Sequence, residues 1–159
     1  MPKPKVVDLL YELMRNSRRS DRELSRVIGV SQPTVTRNRA ELEQAGYIRE
    51  YTIIPALEKL DFEILALNFV SIDTTQEGTK TLLNWISENS QIIFSSAGQG
   101  IGGKTLLLAS VHRTFTDFSN FSRELRGCVG TKATSIESFL VSLRSDIVKN
   151  FSFKSLQKT

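Results

Sequence analysis

The most constraining feature of the sequence is residues 20–48, where helix-start and helix-stop signals alternate at short intervals. Ser20 with Glu23 three residues later forms a capping box, which marks the start of a helix. Gly29 ends that helix, because the left-handed position after a helix favours a residue without a Cβ atom. Ser31 can then cap a second helix. This order predicts a helix-turn-helix, whose second helix would enter the major groove of DNA.

The flanking sequence extends this unit. An amphipathic helix is predicted over Val6–Asn16, and a strand or a short two-stranded wing over Tyr47–Pro55. Residues 1–50 hold ten basic and seven acidic side chains, so three of the chain's net +4 charges lie there. An anionic partner fits this charge, although a small helical domain with a solvated basic face would show the same pattern.

The remainder of the chain differs in kind, since all nine Phe and the one Trp follow residue 60. Apolar patterns predict strands and helices in the order βαββαβ, a ferredoxin-like unit. The predicted strands cover 62–73, 91–97, 104–112 and 134–144, and the predicted helices cover 75–89 and 114–126. We therefore expect an α+β protein with a winged helix-turn-helix domain at 1–55, a linker at 56–61 and a ferredoxin-like dimerisation and effector domain at 62–159.

The first and third predicted strands are apolar on both faces. In the first strand, Leu65, Leu67 and Phe69 alternate with apolar residues that point the other way. Two helices can cover only one face of a four-stranded sheet, and a soluble monomer avoids a large exposed apolar patch. We therefore expect a second copy to cover the open face in a symmetric dimer.

Composition narrows the classes of protein further. No apolar run is long enough to cross a bilayer, and the N-terminus has no secretory signal pattern, so we expect a cytoplasmic protein without a membrane partner. Cys128 and His112 are the only residues of their types and are interpreted as structural. We therefore expect no metal site, no cofactor and no catalytic residue.

The chain resembles the Lrp/AsnC family of transcription regulators. The matching residues are Glu23-Leu24, Gly29-Val30-Ser31, Thr34-Val35, Arg37, Leu42-Glu43 and Gly46-Tyr47-Ile48. The resemblance implies a sequence-specific regulator that binds double-stranded DNA as a homodimer, often assembled into tetramers or octamers. It also implies a small-molecule effector, because many members bind an amino acid between dimers.

Three positions depart from the family pattern, namely Asn38, Arg39 and Glu41. Arg39 falls towards the buried side of the second helix, so we expect its stem to pack and its head to reach solvent or pair with an acid. Base contacts are predicted from the start and the open face of that helix, and phosphate contacts from arginines before it. The predicted DNA-binding residues are Arg18, Arg19, Arg22, Ser31, Gln32, Pro33, Thr34, Thr36 and Arg37.

The glycine-rich stretch 98–105 matches two phosphate-binding patterns, G-x-G-x-x-G and G-x-x-x-x-G-K-T. Both patterns require a following helix, whereas the next residues read as a strand, so a hairpin is the favoured interpretation. In the family, the corresponding hairpin helps form the effector pocket, usually with an acidic residue that this chain lacks. An anionic effector is therefore predicted there, held by Gly98, Gly100, Gly102, Gly103 and Lys104.

Two other classes of function stay open at this stage. One is an enzyme on the same two-domain layout, handling either a nucleotide at the glycine loop or a porphyrin, although porphyrin decarboxylation would call for several histidines. The other is an architectural protein that binds DNA without sequence preference, which salt dependence and competitor DNA would distinguish from a specific regulator.

Overall fold

The computed structural model describes residues 3–72, 78–129 and 136–156. Parts of three predicted elements, at 73, 75–77 and 134–135, lie outside these ranges. The chain divides into two compact units. One comprises the residues up to Pro55 with the segment that begins at Lys149, and the other runs from Ala56 to Val148. The C-terminal segment thus groups with the first unit, whereas the sequence placed it with the second domain.

The first unit contains three helices, α1 (Pro4–Arg15), α2 (Asp21–Ile28) and α3 (Gln32–Gln44). The capping box at Ser20 and Glu23 is present, and Gly29 adopts a left-handed φ of 73° that ends α2. These local signals place the turn where the sequence predicted it. One apolar core joins the helices, and its buried members are Val6, Leu9, Leu13, Leu24, Ile28, Val35 and Leu42.

The strand or wing predicted over Tyr47–Pro55 is wrong for this chain, because residues 48–55, all of them described, have no regular secondary structure. A strand needs a neighbouring strand to satisfy its backbone groups, and the described residues of the first unit contain none. Tyr51, Ile53 and Ile54 remain exposed as a result. The linker expected at 56–61 contains a short 3₁₀ helix, Leu57–Leu60.

The second unit is one four-stranded antiparallel sheet with two helices, in the predicted order βαββαβ. Its elements are β1 (Ile64–Val70), α4 (Gly78–Glu88), β2 (Ile92–Ala97), β3 (Leu106–His112), α5 (Phe115–Val129) and β4 (Ile136–Ser142). The strand order is β2-β3-β1-β4. β1 pairs with β3 and β4, and β3 also pairs with β2. The two strands that are apolar on both faces, β1 and β3, are therefore the central strands of the sheet.

A chain of polar side chains crosses the buried, helix-covered side of this sheet. Asn68 Nδ2 donates to Ser110 Oγ over 3.1 Å, and Ser110 Oγ lies 2.8 Å from His112 Nε2. The Gln91 amide lies 3.3 Å from His112 Nδ1 and donates to Asp117 over 2.8 Å. Burial lowers the pKa of His112, while the nearby Asp117 charge acts in the opposite direction. His112 is thus a buried, hydrogen-bonded core residue.

The other face of the sheet has no helix against it among the described residues. Phe94, Ala109, Leu67 and Phe139 form one row across all four strands. Both ends of this row are exposed, Phe94 to 55% and Phe139 to 63%. The two-faced apolar pattern of the sequence therefore corresponds to an uncovered apolar face, which we call the open sheet face.

Candidate DNA-binding surface

Helix α3 has one buried and one exposed side. Val35, Asn38 and Leu42 face the core, at the spacing expected of a helix that packs through one stripe. The opposite side carries the exposed predicted contacts Gln32, Pro33, Thr36 and Arg37. Gln32 and Arg37 have no side-chain partner among the described residues, so their donors are available to a ligand.

Two predicted contact residues serve the helix itself. Ser31 Oγ accepts from the backbone N–H of Thr34 over 3.4 Å and lies 2.8 Å from Thr34 Oγ1. This cap satisfies one of the orphan N–H groups at the start of α3. Ser31 and Thr34 therefore hold the N-terminal turn in place, and the exposed hydroxyl of Ser31 is partly committed to that role.

The three predicted phosphate-binding arginines differ in their surroundings. Arg18 and Arg22 are exposed. Arg19 is only 33% exposed and forms an ion pair with the buried carboxylate of Glu12, which Arg15 also contacts. Arg18 and Arg22 are thus ready to meet a phosphate, whereas Arg19 primarily neutralises Glu12 and joins the loop before α2 to α1.

Arg39 forms the paired arrangement expected from its position. Its guanidinium binds Asp21 Oδ1 through Nη2 at 2.6 Å and through Nε at 3.2 Å. It also reaches the hydroxyl of Tyr51 at 3.4 Å, and that hydroxyl donates to Glu43 over 2.8 Å. The sequence left open whether the head of Arg39 reaches solvent or pairs with an acid. Its partners could not be identified from the sequence, because Asp21 and Tyr51 lie 18 and 12 residues away along the chain.

The glycine-rich loop is a hairpin, closed by a hydrogen bond from the Gly98 N–H to the Thr105 carbonyl over 3.0 Å. A 3₁₀ turn at Ile101–Gly103 precedes β3, so the helix that a phosphate-binding loop requires is replaced by a strand. Lys104 is buried, and its ammonium donates to Glu137 over 2.8 Å. An anion at Lys104 would therefore compete with the Glu137 carboxylate.

Other types of site have little support in the described ranges. They contain no cluster of three His, Cys, Asp or Glu side chains placed to hold a metal ion. No helix among them is long and apolar enough to span a membrane. Cys128 is half-buried, and burial raises the pKa of its thiol, which makes it less reactive as a nucleophile.

Comparison with known proteins agrees with this geometry. Residues 5–49 match the family model described as a winged helix-turn-helix DNA-binding domain. An uncharacterized HTH-type transcriptional regulator of Pyrococcus furiosus is 36% identical over 70 residues, which span 44% of this chain and 47% of that protein. A second uncharacterized HTH-type transcriptional regulator, from Pyrococcus horikoshii, is 28% identical over 103 residues, which span 64% of this chain and 66% of that protein. Residues 5–49 of the first unit are therefore similar in sequence to DNA-binding helix-turn-helix domains.

Solved structures extend the similarity to the second unit. A Neisseria meningitidis transcriptional regulator, solved as a complex with L-methionine, superposes with a TM-score of 0.81 at 19% identity and covers 97% of this chain and 96% of its own. Escherichia coli AsnC gives 0.75 at 16% identity, over 95% and 98% of the two chains. The chain therefore has the fold of these regulators, which is the fold that the resemblance of its sequence implied.

Proposed function

We propose that this protein is a sequence-specific regulator of transcription that binds double-stranded DNA through α3. The observation that carries the proposal is the exposed side of a capped α3, where Gln32 and Arg37 present unpartnered donors. Such donors can pair with the acceptor edges of bases in the major groove. Arg18 and Arg22 lie before and within α2, where phosphate contacts would fix the orientation of the domain on the duplex.

We propose further that the DNA-binding species is a symmetric dimer joined through the open sheet face. The row from Phe94 to Phe139, which is exposed at both ends, gives the apolar centre that an isologous interface needs. A two-fold axis would present two copies of α3 to two half-sites. The preferred site should then be roughly palindromic, with half-site centres separated by a whole number of helical turns.

Selection from a pool of random double-stranded DNA, followed by a gel-shift assay of the selected site, tests the proposal. Arg37→Ala should weaken binding to the selected site by about thirtyfold or more, because it removes a base contact of about 1–3 kcal/mol from each of the two half-sites. Arg126→Ala removes an exposed arginine from α5 and is the matched control. Recovery of no consensus, with equal competition by unrelated DNA, would favour the architectural alternative instead.

An effector site at the hairpin between β2 and β3 is the remaining part of the proposal. The methionine complex of the Neisseria regulator supports an amino-acid-sized ligand in this fold. The Lys104–Glu137 pair combines a buried cation with a carboxylate that is 63% exposed. An anionic ligand would bind by replacing Glu137 at Lys104, and the ammonium group of a zwitterionic ligand could in addition meet the Glu137 carboxylate. A thermal-shift panel should therefore show stabilisation by such ligands, and stabilisation by cations alone would contradict the assignment.

A further inference from the structure

The hydroxyl of Thr36 lies on the exposed side of α3 but points at the first residue of α2. Thr36 Oγ1 lies 2.7 Å from Asp21 Oδ2 and 3.2 Å from the carbonyl oxygen of Gln32. A carboxylate and a carbonyl oxygen can only accept hydrogen bonds. The hydroxyl proton of Thr36 is therefore directed into the protein, away from any ligand above α3.

Asp21 is held in this arrangement from both sides. The Thr36 hydrogen bond, together with the hydrogen bond and charge of Arg39, keeps the pKa of Asp21 below its ordinary value despite partial burial. The carboxylate is thus ionised at neutral pH and can only accept. Arg39 is fixed in turn by Tyr51, whose hydroxyl is bound to Glu43. Rotation of Asp21 away from Thr36 would break contacts with both of its partners.

We propose that Asp21 is a positioning residue that determines which bases Thr36 tolerates in the major groove. With its proton committed, Thr36 displays a methyl group and an oxygen lone pair. Thymine offers a C5-methyl group, and adenine and cytosine offer amino donors, whereas guanine O6 and N7 only accept. The base edge that faces Thr36 should therefore exclude guanine. This inference rests on the proposed function, because it assumes that α3 reads DNA.

Base preference measured by selection from random duplexes, with wild type and Asp21→Asn side by side, tests this inference. The asparagine amide can donate to Thr36 Oγ1, so Asp21 no longer holds the hydroxyl proton. A base acceptor then competes for that proton only with the Gln32 carbonyl at 3.2 Å. Guanine should become about tenfold better tolerated at one position of each half-site, the discrimination expected from one base contact. Glu23→Gln is the control, since it removes a neighbouring charge and keeps the capping oxygen. It should change affinity for all sequences alike.

The same comparison in a Thr36→Val background isolates the hydroxyl. Valine keeps the shape of threonine but has no proton to redirect, so Asp21→Asn should then leave the base preference unchanged. A uniform change in affinity from Asp21→Asn, like that of Glu23→Gln, would overturn the inference and leave the proposed function intact. A shift in base preference of equal size in the Thr36→Val background would also overturn the inference and leave the proposed function intact. A wild-type protein without any sequence preference would overturn both.

Discussion

Truncation of Phe139 to alanine should dissociate the dimer that the open sheet face predicts. Phe139 is 63% exposed, so on a side chain of roughly 200 Å² about 125 Å² awaits burial. Alanine would bury roughly a third of that area. The loss of the other two thirds weakens association by about 2 kcal/mol, at about 25 cal/mol per Å². Because a two-fold interface contains the residue twice, the loss is about 4 kcal/mol, or roughly a thousandfold in Kd.

Phe115 supplies a closely matched control on the other layer of the second unit. It is 65% exposed at the start of α5, and its ring lies 6.1 Å from that of Phe118, which packs beneath it. Phe115→Ala thus removes the same residue type with nearly the same exposed fraction. It should leave the dimer dissociation constant within a few-fold of the wild-type value.

Sedimentation equilibrium over a wide range of protein concentration measures both variants on one scale. The estimate for Phe139→Ala is an upper bound, since it assumes complete burial in the dimer. A loss of at least tenfold in affinity, confined to Phe139→Ala, is the expected result. Equal effects of the two substitutions, or a wild-type protein that stays monomeric at high concentration, would refute sheet-to-sheet association.

Three further predictions concern stability. Because the folded state lowers the pKa of His112 below its ordinary 6.5, the unfolded state takes up more protons as the pH falls. The melting temperature should therefore decrease as the pH is lowered from 7.5 to 5.5, and His112→Gln should make the melting temperature less dependent on pH. Glu12→Gln removes the charge that pairs with two arginines and should cost about 1–3 kcal/mol in urea unfolding, with exposed Glu124→Gln as the control. Gly29→Ala should cost about 1–2 kcal/mol because of its positive φ. Gly98→Ala should not, since Gly98 is not among the glycines with a positive φ and an added Cβ atom meets no neighbour at either position.

Local signals account for the parts of the fold that the sequence predicted well. Ser20, Glu23 and Gly29 act within a few residues of one another, so the ends of α2 follow from the sequence alone. The alternation in β1 and β3 likewise predicted strands with two apolar faces, and the structure places both strands at the centre of the sheet. The prediction failed at Tyr47–Pro55, where apolar and aromatic residues favour a strand but a single chain provides no neighbouring strand to pair with.

Long-range polar contacts were beyond sequence reasoning. Asn68 and Ser110 are 42 residues apart, and the hydrogen bond between them exists only because β1 and β3 pair in one particular register. His112 therefore appeared isolated in the sequence although its ring contacts polar partners through both nitrogens. Nothing local to these residues indicates that they share the helix-covered side of the sheet.

The same limit applies to the candidate DNA-binding surface, where the sequence predicted residue types but not which side chains are free to contact a ligand. The number of basic residues in the first unit does not show which arginines are free to bind a phosphate. Arg19 and Arg39 are instead bound to Glu12 and Asp21, at charge-assisted contacts that an incoming phosphate would have to replace. Each of these pairs joins two segments of the helix-turn-helix. Part of the positive charge in this domain thus holds its segments together, through Arg19, which binds Glu12 of α1, and through Arg39, which joins α3 to α2. The proposed base recognition is left to the few donors that no acid holds.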